Sequence, residues 1–231
     1  MDYFELRDVA PNDYATAELP AWLLGEINQA AKNSNILDFG CGFGQNLRAM
    51  KQHGFVNVYG ADVSPQALKH CHTSGMHVFD IRQGFGEMEN RAERFDFIVS
   101  THVLEHIPKD EVIDVLKKLR GLLSAGGSLL VAVPNAQAYT GCYWAYEDFT
   151  HHTLYTTGSL MHILRAAGFS KVKLLDRDAL VGSKFLRRAV RSLFALFYRT
   201  NYRFWKKILG SPTHISSVDV FTYELKMKAT A

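Results

Sequence analysis

Cysteine and long hydrophobic runs are both scarce in the 231-residue sequence, and each absence excludes a class of protein. The three cysteines, Cys41, Cys71 and Cys142, are odd in number and widely spaced, which favours free thiols over a disulfide framework. No apolar run approaches the roughly 18 residues that a membrane-spanning helix needs. The first residues carry acids where a secretory signal has basic residues and an apolar stretch. We therefore expect a cytoplasmic protein that is not exported.

Acidic residues are missing from one long segment near the end of the sequence. Positions 179–218 contain no Asp or Glu, whereas eight Lys and Arg residues give this segment a charge of +8. Because the whole chain carries only +3, the rest of it is mildly acidic. Phe185, Leu186, Val190, Leu193 and Phe197 recur at helical spacing, with the bases largely opposite. The pattern predicts an amphipathic helix, followed by a second helical stretch at 202–209.

Short β-rich runs alternate with helical patterns from about residue 36 onward, which is typical of a parallel sheet with crossover helices. We predict strands at 35–39, 56–61, 77–79, 95–100, 128–133, 171–176 and 218–227. We predict helices at 20–31, 45–53, 65–74, 109–123 and 157–167, besides those of the acid-free segment. Hydrophobic residues make up 47% of the chain, which suits one globular body and excludes disorder.

A glycine-rich loop follows the first predicted strand, in the run ILDFGCGFG at 36–44. Glycines in such a loop let a ligand approach the backbone closely. A dinucleotide fingerprint would need its third glycine at position 45, which is Gln45, so the spacing is GxGxG. Asp38, just before the loop, is also poorly placed to receive a pyrophosphate. The loop therefore favours a ligand without phosphates.

Two further carboxylates follow the next predicted strands. Asp62 lies about 20 residues beyond the glycine loop, where a carboxylate can accept both hydroxyls of a ribose. Asp80 ends the third strand, near the expected position of an adenine. Each Asp taken singly is equally well explained as a helix cap or turn residue. Their joint placement favours a binding site, because open α/β sheets bind ligands at the carboxyl ends of their strands.

These features resemble the class I S-adenosylmethionine-dependent methyltransferases over roughly residues 30–176. The resemblance lies in the DFGCGFG loop, in Asp62, in the Asp80-Ile81 pair and, most specifically, in the run FDFIVSTHVLEHIP at 95–108. It implies S-adenosylmethionine as the cofactor. It also implies that the end of the fourth strand, including His102 and Glu105, faces the methionine side and the acceptor. The cofactor-binding residues that it implies are Asp38, Gly40, Gly42, Gly44, Asp62, Val63, Asp80, Ile81 and Thr101.

A second resemblance lies in the run DFTHHTLYT at 148–156. It is similar to the branch that includes quinone-biosynthesis O-methyltransferases and methyltransferases linked to bacterial surface polysaccharides, although Phe149 stands where Pro is common. A hydroxyl acceptor calls for a general base, and a histidine with a pKa near neutrality is the usual choice. The candidates are His151, His152 and His106. The alternative for each is that it bonds a backbone group and shapes the loop.

No metal site is predicted. His70, Cys71 and His72, with His77 nearby, have metal-ligand side chains, but residues two apart on a helix face in different directions. Cys41 has no His and Asp partners close in sequence, so we expect it to pack beneath the glycine loop rather than to act as a nucleophile.

The overall prediction is an α/β fold with a Rossmann-like, mostly parallel sheet and helices on both faces. We expect the last strand to be antiparallel and to follow a helical insertion. The chain would divide into a cap segment at 1–34, a methyltransferase core at 35–178, a basic insertion at 179–216 and the last strand at 217–231.

The predicted function is methyl transfer from S-adenosylmethionine to oxygen of a small-molecule, glycan or lipid-linked acceptor. One alternative is a non-catalytic cofactor-binding module that docks through its basic insertion. Another is a nicotinamide-dependent oxidoreductase, which the GxGxG spacing disfavours. A nucleic-acid acceptor is disfavoured because the bases are confined to one stripe.

The basic insertion has two interpretations. It could dock on an anionic membrane, which would place the protein at the inner membrane face, or bind an anionic acceptor. Alternatively, its apolar stripe could pack on the body as a lid and leave the bases solvated.

Overall fold

A computed structural model describes residues 3–14, 16–209 and 218–231 of the chain. Its seven strands are β1 Ile36–Phe39, β2 Val58–Asp62, β3 His77–Asp80, β4 Phe95–Thr101, β5 Leu123–Pro134, β6 Lys171–Leu175 and β7 Glu224–Thr230. They form one sheet in the order β3-β2-β1-β4-β5-β7-β6. Strands β1 to β5 are parallel, and β7 is antiparallel to both β5 and β6. The mostly parallel sheet with an antiparallel last strand is confirmed.

The helices lie between the strands in chain order. They are α1 Tyr3–Leu6, α2 Ala21–Ile27, α3 Gln45–Gln52, α4 Pro65–Thr73, α5 Gly86–Glu89, α6 Val112–Leu122, α7 Gly141–Glu147, α8 Thr157–Ala166 and α9 Phe185–Ile208. Short 3-10 turns occupy Pro11–Tyr14 and Leu104–His106. Of the predicted helices, the one at 109–123 begins three residues late, at Val112, and the one at 20–31 ends at Ile27.

Helices cover both faces of the sheet because neighbouring strand residues point to opposite sides. On β1, Leu37 joins a cluster of buried side chains with α5, α6 and α8, whereas Ile36 joins another with α2, α3 and α4. Both residues are fully buried. Strands covered on both faces are hydrophobic runs, which is why the parallel strands were recognisable in the sequence.

The last strand was predicted six residues too early, at 218. The side chain of Asn135, which follows β5, donates hydrogen bonds to the carbonyls of Val220 and Thr222, each at 2.8 Å. Its backbone N–H bonds the carbonyl of Tyr223. These bonds hold the segment before Glu224 as a loop, so pairing with β5 starts only at Glu224.

The insertion between β6 and β7 contains one continuous helix, α9, of 24 residues, in place of the two predicted stretches. The residues between those stretches, 198–201, include no Gly or Pro that would interrupt a helix. Residues 210–216 of the predicted insertion lie outside the described residues. Within the described part of the chain, no helix combines the length and apolarity needed to cross a bilayer. The division of the chain at 34, 178 and 216 stays a prediction.

Candidate active site

The sheet order reverses between β1 and β4, and the loops that follow these two strands form the candidate site. After β1 the backbone turns through left-handed conformations, with φ of +81° at Gly40 and +76° at Gly44. A Cβ at Gly40 would collide with the side chain of Val103, and one at Gly44 would collide with the sulfur of Met76. The loop therefore needs glycine for its conformation and for its close packing.

Asp38 lies at the end of β1 with its side chain almost fully buried. Burial raises the pKa of this carboxyl from 3.8 to about 7. Among the described residues, its Oδ1 has a long contact of 3.5 Å with Asn46 Nδ2, and its Oδ2 makes no hydrogen bond. A buried carboxylate oxygen without a donor is costly, so this position suits a ligand that brings a positive charge and N–H groups.

Asp62 ties the glycine loop to the end of β2. Its Oδ2 accepts from the N–H of Gly42 and its Oδ1 from the N–H of Ser64, both at 2.8 Å. A carboxylate offers about four lone-pair positions, so one carboxylate can accept from several donors at once. Val63, the next residue, is exposed.

Asp80 ends the neighbouring strand, in register with Asp62. Both of its carboxylate oxygens accept from Arg82 Nε, at 2.9 and 3.0 Å. The hydrogen bonds from Arg82 lower the pKa of Asp80 to about 2. Ile81 donates its N–H to the carbonyl of Asp62 at 3.2 Å, so these two strand ends are held side by side.

The end of β4 carries an ion pair between the exposed His102 and the buried Glu105, next to a strained backbone. His102, directly after Thr101, has a φ of +56°, which a non-glycine residue rarely adopts. Its Nε2 lies 2.8 Å from Glu224 Oε1, and its Nδ1 lies 3.4 Å from Glu105 Oε1. Burial lowers the pKa of His102, but the two carboxylates outweigh it and raise the pKa well above its usual range. The two carboxylates therefore favour the protonated form of His102.

Glu105 is fully buried, and within the described residues its carboxylate makes no hydrogen bond besides the ion pair with His102. The backbone carbonyl of Glu105 accepts from the N–H groups of His152 and Thr153, at 2.7 and 3.3 Å. The hydroxyl of Tyr155 donates to the carbonyl of Leu104 at 3.1 Å. These bonds attach the segment 148–155 to the end of β4.

This attachment brings His106 and His151 together, with ring centroids 4.7 Å apart. Nδ1 of His106 lies 2.8 Å from the hydroxyl oxygen of Thr150, which itself donates to Asp148 Oδ1 at 2.6 Å. Thr150 therefore accepts from His106 Nδ1–H, and the lone pair of His106 is on Nε2. Burial lowers the pKa of His106, which keeps the ring neutral.

His151 is held in the same tautomer by a different partner. Its Nδ1 lies 2.7 Å from the carbonyl oxygen of Trp144 in α7, and a carbonyl can only accept. A neutral His151 therefore also has its lone pair on Nε2. The result is a pair of imidazoles that both present a proton-accepting nitrogen.

The N-terminal helix α1 lies across both parts of the site. Phe4 packs on Phe43 of the glycine loop, with centroids 4.5 Å apart. Tyr3 contacts the ring of His106 at 5.4 Å, and its hydroxyl donates to Asp148 Oδ2 at 2.8 Å. Arg7 forms an ion pair with the same carboxylate. Burial raises the pKa of Asp148, but hydrogen bonds from Thr150 and Tyr3 outweigh it and hold the pKa well below its usual range.

A family model described as a methyltransferase domain matches residues 12–174, which is more than half of the chain. The chain belongs to this family. The ubiquinone biosynthesis O-methyltransferase of Coxiella burnetii (strain Dugway 5J108-111) is 30% identical over 108 residues, covering 45% of each protein. The match thus spans about half the length of this curated relative.

Solved methyltransferases share the fold of this methyltransferase domain. A SAM-dependent methyltransferase from Archaeoglobus fulgidus superposes over the whole of both chains, with a TM-score of 0.66 and 18% identity. The plantazolicin methyltransferase BpumL, solved in complex with SAH, has a TM-score of 0.55 and 18% identity, covering 91% of this chain and 80% of that one.

The methyltransferase domain brings together most of the residues predicted from its sequence. Asp38, the three loop glycines, Asp62 and Asp80 lie at adjacent strand ends. Of the three candidate bases, His106 and His151 lie in contact, whereas the side chain of His152 is exposed. Sequence analysis missed Tyr3, Thr150 and Glu224. No local pattern marks Glu224, which reaches His102 only through the register of β7 on β5.

Glu105, His106 and His151 also place one possible metal-ligand atom each within 4.8 Å of one another. Among the described residues, these are the three side chains with the donor types and spacing for a cation. In the structure, Glu105 is instead engaged with the protonated His102. Because this pairing already balances the carboxylate, we treat the cluster as a site for proton transfer, and the absence of a metal stays a prediction.

Proposed function

We propose that the protein transfers a methyl group from S-adenosylmethionine to an oxygen atom of a small-molecule acceptor. The observation that carries this proposal is the pair of imidazoles, His106 and His151, which lie in contact beside the end of β4 and are each engaged through Nδ1. Nε2 of His151 lies 3.9 Å from Asp148 Oδ2. Membership of the methyltransferase domain family supports the choice of cofactor over a nicotinamide. The name of the ubiquinone biosynthesis O-methyltransferase relative supports a small-molecule acceptor, and glycan or lipid-linked acceptors remain alternatives.

The residues present fit this cofactor. Asp38 would receive the ammonium of its methionine end, which supplies the donor that the buried Oδ2 needs. The glycine loop would lie against the methionine backbone, with Thr101 on the same side. Asp62 and Val63 would receive the ribose, and Asp80 and Ile81 the adenine. When bound, the cofactor supplies a sulfonium-activated methyl group, so that positioning provides much of the rate acceleration.

The histidine pair would supply the base that a hydroxyl acceptor requires. As the oxygen attacks the methyl group, its proton would move to Nε2 of His106 or His151. Thr150 and the carbonyl of Trp144 fix the tautomer at Nδ1, so each ring is oriented before the acceptor arrives. His102 compensates the charge of Glu105, whose carboxylate, against the larger effect of burial, raises the pKa of the neighbouring His106. The aromatic rings of α1 would exclude water from the same space.

The test is a methyl-transfer assay with radiolabelled S-adenosylmethionine. The purified protein is incubated with a panel of phenols, catechols and sugar alcohols and with fractionated cell extract. We expect label in a small-molecule fraction, as a methyl ether that resists mild acid and base. If the protein binds S-adenosylhomocysteine but labels no fraction, the non-catalytic docking module becomes the better interpretation. Label on nitrogen or carbon would reject oxygen as the acceptor atom.

A further inference from the structure

Helix α9 is the largest feature that methyl transfer does not use. It has 24 residues, and none of them is buried. At 1.5 Å per residue it is about 36 Å long. Because α9 buries no side chain against the rest of the protein, packing contributes little to its stability. Its exposed surface therefore needs another explanation.

One narrow face of α9 holds the helix to the body. Tyr198 and Tyr202 pack on Phe221, with ring centroids 4.9 and 5.1 Å apart. Arg199 pairs with Asp178 at 2.5 Å, and Lys206 lies 4.0 Å from Asp219. These contacts orient the helix.

The opposite face is an outward apolar stripe. Successive residues of the stripe are three, four or seven positions apart in the sequence. At 3.6 residues per turn, they lie about half a turn around the helix axis from Tyr202. Exposure confirms this orientation, because Leu193 is 66% and Phe197 67% exposed. The stripe consists of Leu186, Val190, Leu193, Phe197, Phe204 and Ile208. The lid interpretation, in which this stripe packs on the body, is therefore wrong.

The basic residues beside the stripe indicate what kind of partner it binds. The bases on either side of it, Arg187, Arg203 and Lys207, are exposed, and α9 contains no Asp or Glu. A second copy of the chain docking along this stripe would bring cations against cations, without acids from α9 to offset them. An anionic bilayer satisfies both features, since it offers hydrocarbon to the stripe and phosphates to the bases.

We propose that α9 lies flat in the surface of an anionic membrane, with the stripe toward the acyl chains and the flanking bases at the lipid phosphates. Because the helix is not apolar enough to span a bilayer, docking is peripheral and reversible. This proposal goes beyond the proposed methyl transfer and does not depend on it.

Sedimentation with lipid vesicles tests the proposal on the full chain. Vesicles of phosphatidylcholine alone are compared with vesicles of equal parts phosphatidylcholine and phosphatidylglycerol, at ionic strengths of about 0.05 M and about 1 M. We expect pelleting with the anionic vesicles at low salt and at least a tenfold weaker partition at high salt. The fluorescence of Trp205 should shift to the blue on binding, and the shift should be absent in Trp205→Phe.

Two variants test separately how the basic charge and the apolar stripe contribute to vesicle binding. The triple variant Arg187→Gln, Arg203→Gln, Lys207→Gln should lose at least tenfold in partition, and so should Leu193→Ser with Phe197→Ser. The matched control removes three exposed lysines elsewhere, Lys51, Lys69 and Lys171, by substitution with Gln. It should bind as the parent does, and circular dichroism checks that each variant is folded.

The proposal is overturned by equal pelleting with both vesicle types, or by equal losses in the triple variant and its control. It is also overturned if the chain forms a dimer that Phe197→Ser dissociates, because a second copy would then cover the stripe. Vesicle binding is measured without cofactor or acceptor, so its failure would leave the proposed methyl transfer unaffected.

Discussion

At the scale of single residues, the candidate site depends on side chains whose charge is set by their neighbours. Burial raises the pKa of Asp38, whereas two carboxylates keep His102 protonated and hydrogen bonds keep Asp148 ionised. Perturbed groups gathered at strand ends are typical of functional sites. Each of them gives a measurable consequence.

Removing the Asp62 carboxylate should weaken cofactor binding by about 1 to 3 kcal/mol, because ribose hydroxyls lose their acceptor. Calorimetric titration of Asp62→Ala with S-adenosylhomocysteine measures this loss. The control is Asp114→Ala, on the exposed surface of α6, which should bind as the parent does. An unchanged affinity in Asp62→Ala would reject its role at the ribose.

Replacing the base should slow turnover by about 10² to 10⁴ while leaving cofactor affinity unchanged. We expect this of His106→Ala or His151→Ala, and not of His162→Ala, an exposed histidine of α8. If neither variant loses tenfold, the base lies elsewhere, and His152→Ala is the next to measure.

The pH profile distinguishes a base from a purely structural histidine. Because the pKa of His106 is lowered from 6.5, its base form persists below that pH. If His106 is the base, turnover should fall on the acid side at a pH below 6.5, and His106→Gln should lose that limb. A His106→Gln enzyme with the parent's acid limb would exclude His106.

The His102 cluster should stabilise the fold in a defined pH range. Because the folded-state pKa of His102 is raised, its contribution to stability is fully present below the unfolded pKa of about 6.5 and is lost as pH rises through the folded value. Glu224→Gln weakens this cluster. Urea unfolding should therefore show the largest difference between parent and Glu224→Gln near pH 6, and a shrinking difference toward pH 10. A difference in unfolding free energy that does not change with pH would mean that the protonation of His102 does not cause it.

At the scale of elements, the sequence predicted what is encoded locally and missed what depends on distant contacts. Ser64 lies directly before Pro65, as an N-cap residue does, and its side chain accepts from Ala67 N–H. The glycine loop was equally readable, because its left-handed turns need glycine. The contact between His106 and His151 could not be predicted in this way. It depends on hydrogen bonds between segments that are far apart in the chain, such as the bond from His152 N–H to the carbonyl of Glu105.

Helix α8 offers a test of one local signal. Thr156 and Ser159 form a capping box at its first turn, in which each side chain bonds the other's backbone. Thr156→Ala should lower the free energy of unfolding by about 1 kcal/mol. The control is Thr73→Ala, whose hydroxyl bonds the carbonyl of Lys69 within α4, and it should change stability by less than about 0.5 kcal/mol. Equal losses of unfolding free energy in Thr156→Ala and Thr73→Ala would mean that the capping box adds no stability of its own.

At the scale of the whole molecule, binding of the cofactor should stabilise the folded protein. Ligand at 100 times its dissociation constant stabilises a protein by about 2.7 kcal/mol, which for a chain of this size raises Tm by about 5 to 10 °C. We expect this shift with S-adenosylhomocysteine and none with NAD. A shift with NAD alone would revive the oxidoreductase alternative.

The position of β7 has a consequence for how the protein is made. β7 pairs between β5 and β6, yet it follows both in the chain, and β6 has no other neighbour in the sheet. While a ribosome is still translating the basic insertion, β6 has no strand to pair with and Glu224 has not been synthesised. The nascent chain can form the glycine loop early, whereas the contact between Glu224 and His102 cannot yet form. The candidate site is therefore completed only when β7 emerges from the ribosome.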